Sequence, residues 1–280
     1  MKAQFILPWL VMALVVSLTL PGCASAAKSA STDSFSKEEL WLNKDGQKIY
    51  GVLYRPEGIK KAPLLVVSHG IGSNHLSGAP YAEALVKLGY AVYCYDFCGG
   101  GRASKSDGKT SEMSIFSEEK DLEAVVDGLK NVEGIKKGKV TLLGISQGGM
   151  VSALFAGDHP KMVEKLVLVY PALCIKDDWV TKYPKITDMP EVVNSFGMQL
   201  GRAYVEGLYD LDVYGRIARY EGQVQILHGD QDRLVPISYS EKAHEAYRNS
   251  AFKVMPGAGH GFRGKVQEEA IEIIKNFLKK

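Results

Sequence analysis

The chain has 280 residues, 46% of them hydrophobic and 24% charged, and a net charge of +2. That is the size and balance of one large soluble domain, or of one domain with an insertion, able to build a core without staples. So small a net charge gives no long-range field to draw in a polyanion, and with no lysine or arginine cluster breaking the balance, nucleic acid is excluded as an expected partner.

Residues 1–22 read as an export signal, not as part of the fold. Lys2 is followed by the apolar run Phe5 to Leu20 and then by Pro21-Gly22-Cys23, the order of a cleaved signal peptide. Two processing routes are open. Leu20-Pro21-Gly22-Cys23 resembles a bacterial lipobox, in which Cys23 would be lipidated and become the mature N-terminus, whereas Ala24-Ser25-Ala26 fits ordinary signal peptidase. A plain anchor is the third route, but the run is short of the about 20 apolar residues a spanning helix needs. Residues 23–38, rich in Ser, Ala and Lys, then read as a flexible tether. The expected location is outside a bacterial cytoplasm, with membrane contact only through a lipid on Cys23.

Residues 39–280 read as one domain. Glu39 to Leu42 and Lys48 to Tyr54 alternate around Asp45-Gly46, a hairpin signal. Leu64 to Ser68, Tyr90 to Tyr95, Val140 to Leu143 and Val163 to Val169 are short, continuous and rich in Val and Leu, as strands buried on both faces of a parallel sheet are; Val224 to Leu227 and Phe252 to Met255 continue the series. Helical spacing of apolar residues fills the gaps at Tyr81 to Leu88, Glu118 to Leu129, Met150 to Ala156, Ser238 to Tyr247 and Glu268 to Leu278. The pattern predicts an α/β fold with a mostly parallel central sheet and helices on both faces. Between Tyr170 and Val224 roughly fifty residues break this rhythm, far beyond the usual connection. The stretch 172–222, rich in proline and aromatic residues, reads as an inserted cap.

Four cysteines are present, and no paired spacing suggests zinc or a disulfide framework. Cys94, Cys98 and Cys174 read as small buried thiols, with a Cys94–Cys98 bridge as the alternative in an exported protein.

Gly144-Ile-Ser146-Gln-Gly148 lies between a buried strand and a helix, the context in which G-x-S-x-G places a nucleophilic serine on a sharp turn. Side chains at Gly144 and Gly148 would collide with neighbouring backbone, and the helix N-terminus behind Ser146 favours developing negative charge. A serine hydroxyl needs a base, and the base an orienting acid. Of six histidines, His260 sits in the glycine-rich loop Pro256-Gly-Ala-Gly-His260-Gly after the last strand. In His228-Gly-Asp230-Gln-Asp232 both aspartates qualify as acid by chemistry. Asp230 could instead cap the turn, and Asp232 is better placed to reach a loop beyond it. The order Ser146, Asp232, His260 is that of α/β-hydrolases. An oxyanion hole then needs two backbone N–H groups: Gln147, after the nucleophile, and Ile71, in the loop that Gly70 lets turn.

His69-Gly70, Asp96-Phe97, Ser106-Asp-Gly-Lys109, Gly144-Ile-Ser146-Gln-Gly148-Gly149, His228-Gly-Asp-Gln-Asp232 and Gly257-Ala-Gly-His260-Gly-Phe262 stand in family order. Together they resemble the α/β-hydrolase superfamily, over about residues 39–280, and within it the small esterases that include bacterial feruloyl (cinnamoyl) esterases. The resemblance implies a carboxylic-ester hydrolase acting on a small ester, without metal or cofactor. It also implies that the cap binds the phenolic end of the substrate, for which Asp178, Tyr204 and Tyr209 are the candidates. One departure stands out. Where the subgroup carries D-F-R-G-H-G, this chain reads Asp96-Phe-Cys98-Gly-Gly-Gly101, so that loop does not carry the subgroup's substrate over to this chain. The rivals are a peptidase of the prolyl-oligopeptidase type, whose usual N-terminal propeller this chain has no room for, an acyltransferase, and a non-catalytic binding protein on the same scaffold.

Overall fold

The computed structural model describes residues 34–280. The export signal, Cys23 and the first part of the tether lie outside the described residues. Strand β1 (Phe35–Lys44) and strand β2 (Gln47–Pro56) form the expected antiparallel hairpin. Its turn residues Asp45 and Gly46 both have positive φ, 50° and 90°, as a two-residue turn matched to strand twist requires. β1 starts inside the segment read as tether. Phe35 pairs with Pro56 and packs on the Tyr54 ring, and Glu38 accepts from Arg55 Nε at 2.7 Å, so residues 35–38 are strand and not linker.

The remaining strands are β3 (Leu64–Ser68), β4 (Ala91–Tyr95), β5 (Val140–Ile145), β6 (Val163–Val169), β7 (Val192–Ser195), β8 (Met198–Gly201), β9 (Gln223–Gly229) and β10 (Ser250–Met255). Among the described residues, β7 and β8 pair only with each other, and the others join β1 and β2 in one sheet of order β1-β2-β4-β3-β5-β6-β9-β10. From β4 to β10 this sheet is parallel, with β1 and β2 antiparallel at one edge. Every residue of β3, β4 and β5 is buried, which is why these segments lack apolar–polar alternation.

The two faces follow from the two-residue period of a strand. Leu65, Val67, Val92 and Val167 pack with Ala82 and Leu85 of α1 (Ala79–Leu85) and Ile274 of α7 (Gly264–Leu278). Leu64, Val66, Leu142 and Leu166 pack on the other side with Leu122 and Val126 of α2 (Ile115–Leu129) and Leu154 and Phe155 of α3 (Gln147–Asp158). Each of these Val, Leu, Ile and Phe side chains contributes about 1.5–3 kcal/mol by leaving water. α2 is set by a capping box, Ser114 and Ser117 each holding the other's backbone N–H. The α/β architecture expected from the sequence is the one found.

Between β6 and β9 the stretch read as a cap holds α4 (Ile175–Lys182), the β7–β8 hairpin and α5 (Val213–Ile217). Trp179 packs on Tyr204 at 5.0 Å, with Met189, Met198 and Leu208 buried nearby in the same cluster. α6 (Ser238–Ala246) follows β9.

Cys94, Cys98 and Cys174 are the small buried thiols expected, Cys94 and Cys98 are not bridged, and burial pushes the Cys98 thiol up to about 12. A further expectation is corrected. A lysine cluster does exist: a parallel bridge between Ala62 and Ile135 sets Lys60-Lys61 beside Lys136-Lys137, a juxtaposition that a linear reading of charge does not show.

Candidate active site

β5 runs directly into Ser146, and α3 begins at the next residue. A turn that abrupt forces Ser146 to φ 53°, ψ −119°, a region that costs a non-glycine residue of order 1–3 kcal/mol. The backbone around it is clamped. Ser146 N–H donates to Val169 O at 3.0 Å, and Ser146 O accepts from the N–H groups of Gly149 and Ala172, both at 2.9 Å. A Cβ at Gly148 would fall on the carbonyl oxygens of Ser68 and His69, and one at Gly144 on that of Gly148, which explains the glycine on either side. Besides Ser146, the non-glycine residues at positive φ among the described residues are Asp45 in the β1–β2 turn, Tyr170 after β6 and Phe196 at the hairpin tip. Tyr170 packs on His260, and Phe196 lines the same pocket as Ser146, so the strain concentrates here.

The structure brings Ser146, His260 and Asp232 together. Ser146 Oγ lies 2.9 Å from His260 Nε2, and His260 Nδ1 lies 2.7 Å from Asp232 Oδ2. A carboxylate only accepts, so Nδ1 carries the proton and Nε2 is left to take one from the serine. The Tyr170 ring supports the imidazole at 4.7 Å and is itself met edge-on by Phe262 at 4.7 Å.

Asp232 is buried, which by itself would raise its pKa. Hydrogen bonds from His228 and His260 and from the Val235 N–H outweigh that burial and hold the carboxyl well below the usual carboxylate range. Its Oδ1 accepts from the N–H groups of Leu234 and Val235, both at 2.9 Å. Its Oδ2 faces His228 Nε2 at 3.1 Å as well as His260. The same Nε2 faces Val235 O at 3.0 Å, an acceptor only, so it bears the proton, while Nδ1 meets Ser240 Oγ at 2.7 Å. Asp230, the other aspartate of this segment, accepts from Gly257 N–H at 2.7 Å and so ties the β9 exit to the loop that carries His260.

Ile71 and Gln147 line the pocket floor with Ser146. The loop bearing Ile71 is fixed by His69, which is fully enclosed. His69 Nε2 accepts from Phe97 N–H at 3.1 Å, so Nδ1 carries the proton and donates to Gly70 O at 2.8 Å. Burial lowers the His69 pKa and keeps the ring neutral, consistent with one nitrogen accepting. Gly70 O also accepts from Ser73 N–H at 3.1 Å. In a planar trans peptide the C=O and the following N–H point in opposite directions. Holding the Gly70 carbonyl back therefore turns the Ile71 N–H the other way. The Gln147 amide is the first of α3, where helix N–H groups have no internal partner.

The Gln147 side chain is part of a buried relay. Tyr204 Oη donates to its Oε1 at 2.6 Å, and its Nε2 donates to Glu118 Oε2 at 2.8 Å. Burial pushes the Glu118 carboxyl well above the usual range, and its Oε1 has no partner, the mark of a neutral acid. The pocket walls are largely apolar: Cys174 just before α4, Ile175 and Trp179 from α4, Phe196 from the hairpin, and Leu234. Asp178 also lies on this lining, beside the Cys174 thiol, which hydrogen-bonds to its side chain. Tyr204 also lines the pocket, but its hydroxyl is committed to Gln147. Tyr209 lies outside the lining, its hydroxyl bound to Tyr183 O at 2.8 Å. Sequence reasoning did not single out Tyr170, Glu118 or the supporting roles of His69 and His228. A histidine four residues before the acid, in His228-Gly-Asp-Gln-Asp232, is the one signal that pointed to such support.

Residues 60–207 match the family model described as serine aminopeptidase, S33. The chain is 24% identical over 249 residues to the serine hydrolase BPHL of Homo sapiens, covering 80% of this chain and 82% of that protein. It is 27% identical over 158 residues to the monoglyceride lipase of Rattus norvegicus, covering 55% of this chain and 49% of that protein. The solved structure of Est1E from Butyrivibrio proteoclasticus with ferulic acid bound superposes with a TM-score of 0.78 at 26% identity, over 85% of this chain and 97% of that one.

Proposed function

The chain belongs to the serine aminopeptidase S33 family of α/β-hydrolases, and from that premise we propose that it is a serine carboxylic-ester hydrolase working through Ser146, His260, Asp232 and an acyl-enzyme. The observation that carries this reading is the continuous hydrogen-bonded line from Ser146 Oγ through His260 to a buried, ionised Asp232, at the foot of a largely apolar pocket.

In this reading Ser146 Oγ attacks the acyl carbon as its proton passes to His260 Nε2. The Ile71 and Gln147 N–H groups receive the oxyanion, with the positive end of α3 behind them. The imidazolium then protonates the leaving alcohol oxygen, and the acyl–Ser146 ester remains. Water enters, gives a proton to His260 Nε2 and attacks the same carbon, and collapse of the second tetrahedral intermediate returns the proton to Ser146. Asp232 stays ionised throughout, holding the tautomer and stabilising the imidazolium.

The acyl group that suits these walls is small and flat or short and aliphatic. Asp178 is available to a hydroxyl at its far end, as in a feruloyl or other hydroxycinnamoyl ester. The likeness to a structure that holds ferulic acid supports this substrate class. The family description favours a second reading, an aminopeptidase in which Asp178 would pair with a substrate ammonium. A hydrolysis profile separates them: p-nitrophenyl esters of rising chain length, methyl ferulate and an aminoacyl amide, each with Ser146→Ala as control. Ester cleavage that needs Ser146 supports the proposal, and cleavage of the amide alone overturns it in favour of the peptidase. We also propose that the protein works outside the cytoplasm, held by a lipid on Cys23 or released after Ala26, a choice that palmitate labelling of the wild type and of Cys23→Ala resolves.

A further inference from the structure

The end of the sheet opposite the Ser146 pocket carries charge that hydrolysis does not use. Lys60 and Lys61 lie on the connection from β2 to β3, and Lys136, Lys137 and Lys139 on the connection from α2 to β5. The two connections are zipped together: Ala62 N–H donates to Gly134 O at 2.9 Å, and Lys136 N–H donates to Ala62 O at 2.8 Å. All five lysines are exposed, and among the described residues none of them forms an ion pair. Lys130, by contrast, is paired with Asp127. Lys60, Lys61, Lys136 and Lys137 line one open groove, and Lys136, Lys137 and Lys139 continue into a second beside Pro63 and Tyr90. The acids on these linings are Glu133 and Glu164, with Glu57 on the same connection as Lys60. Like charges held side by side repel, and an anionic surface relieves that repulsion.

Where the chain enters the fold says which surface. Ser34 O accepts from Glu57 N–H at 3.1 Å, and β1 begins beside it, so the N-terminal segment joins the body at the rim of the lysine face. That segment carries the apolar run Phe5 to Leu20 and Cys23, and Ser34 is only eleven residues after Cys23. Even fully extended, a leash of that length reaches no more than about 40 Å. Ser146 sits at the C-terminal end of β5, whereas the lysines sit where the parallel strands begin.

We propose that Lys60, Lys61, Lys136, Lys137 and Lys139 form a docking face for an anionic phospholipid bilayer, which stands the sheet end-on against the membrane with the Ser146 pocket facing away. A basic residue close to such a surface is worth about fivefold in partitioning at low salt, less as salt screens it. Five together make the contact strong enough to orient a protein whose net charge is close to zero. The proposal stands apart from the reading of the site, because a soluble ester reports hydrolysis whether or not the face is docked.

The test is sedimentation of the full chain with vesicles of phosphatidylglycerol and phosphatidylcholine against vesicles of phosphatidylcholine alone. Any contribution of the N-terminal segment is common to both kinds of vesicle, so the readout is the ratio of the two partition coefficients. The wild type is expected to prefer the anionic vesicles, with a preference that falls as salt rises. At physiological salt, where screening about halves each contribution, a variant with all five lysines changed to glutamine is expected to lose about 100-fold of that ratio while hydrolysing p-nitrophenyl acetate and melting as the wild type does. A charge-matched variant neutralising Lys109, Lys182, Lys185, Lys242 and Lys265 is expected to keep the preference. The proposal is overturned if the wild type shows no preference, if the five-lysine variant keeps it, if the charge-matched variant loses as much, or if soluble dextran sulfate binds the face as tightly as the vesicles do.

Discussion

Tyr204 Oη donates a 2.6 Å hydrogen bond to Gln147 Oε1, so a side chain of the 172–222 stretch holds the residue that directly follows Ser146. Changing Tyr204 to Phe removes that donor and leaves the ring against Trp179. Stability is expected to fall by about 1 kcal/mol, the worth of one such bond. Turnover is expected to fall by about 5- to 20-fold with KM for a short ester little changed, because the Gln147 side chain, and through it the residue whose backbone N–H faces the oxyanion, loses an anchor. Steady-state kinetics beside a thermal melt read both. A lower Tm with unchanged kcat would confine the contact to packing.

Glu118, at the other end of the relay, is expected to show itself in the pH dependence of stability. Burial raises its folded-state pKa, so folding favours the protonated acid. The stabilising contribution is therefore complete below the unfolded value of about 4.3 and is lost as pH rises through the folded value. Glu118→Gln keeps an acceptor for Gln147 Nε2 and carries no proton to lose. It should melt above the wild type at pH 8, with the gap closing toward pH 4. A gap independent of pH would contradict the assignment.

His69 acts through the Gly70 carbonyl. In His69→Ala the Gly70–Ile71 peptide is free to turn, and kcat is expected to fall about 10- to 100-fold, the scale of a misplaced oxyanion donor. A trifluoromethyl ketone that mimics the tetrahedral state should lose affinity in parallel. His69→Asn places an amide donor near the position of Nδ1 and should recover part of both. Loss of stability without loss of inhibitor affinity would assign His69 to the core alone.

For Asp232 the sign is the reverse of Glu118. Its folded-state pKa is lowered, so its contribution to stability is present above the ordinary value of about 3.9 and is lost as pH falls below it. Asp232→Asn should flatten the acid limb of the melting curve below about pH 4. It should also cut kcat by about 10⁴-fold by freeing the wrong tautomer of His260. Retention of the acid limb would mean that other carboxyls produce it.

The order and type of the elements were legible because β3, β4 and β5 are buried on both faces, α2 and α7 bury one stripe each and α3 is enclosed almost all round, so hydrophobic spacing and apolar runs carried the information. Boundaries shifted where a cap or a pairing decides them: α2 starts at Ile115 because Ser114 caps it, and β1 starts at Phe35 because Pro56 is there to pair with. At the site, Ser146, Asp232 and His260 were readable from glycine-rich turns at strand ends, where backbone geometry writes itself into local sequence. Glu118 and Tyr170 were not, since a buried glutamate on a helix and a tyrosine after a strand look like any others until packing brings them to Gln147 and His260. The lysine face was invisible for the same reason: Ala62 and Ile135 must pair before Lys60 and Lys136 become neighbours.

The most direct measurement is the intact mass of the protein after reaction with diethyl p-nitrophenyl phosphate, followed by peptide mapping. A nucleophilic Ser146 backed by His260 predicts one diethylphosphoryl group per chain, located on Ser146, with ester hydrolysis lost in proportion to labelling and with neither label nor turnover in Ser146→Ala. Ester turnover by the wild type without a label on Ser146, or turnover that survives in Ser146→Ala, would contradict it.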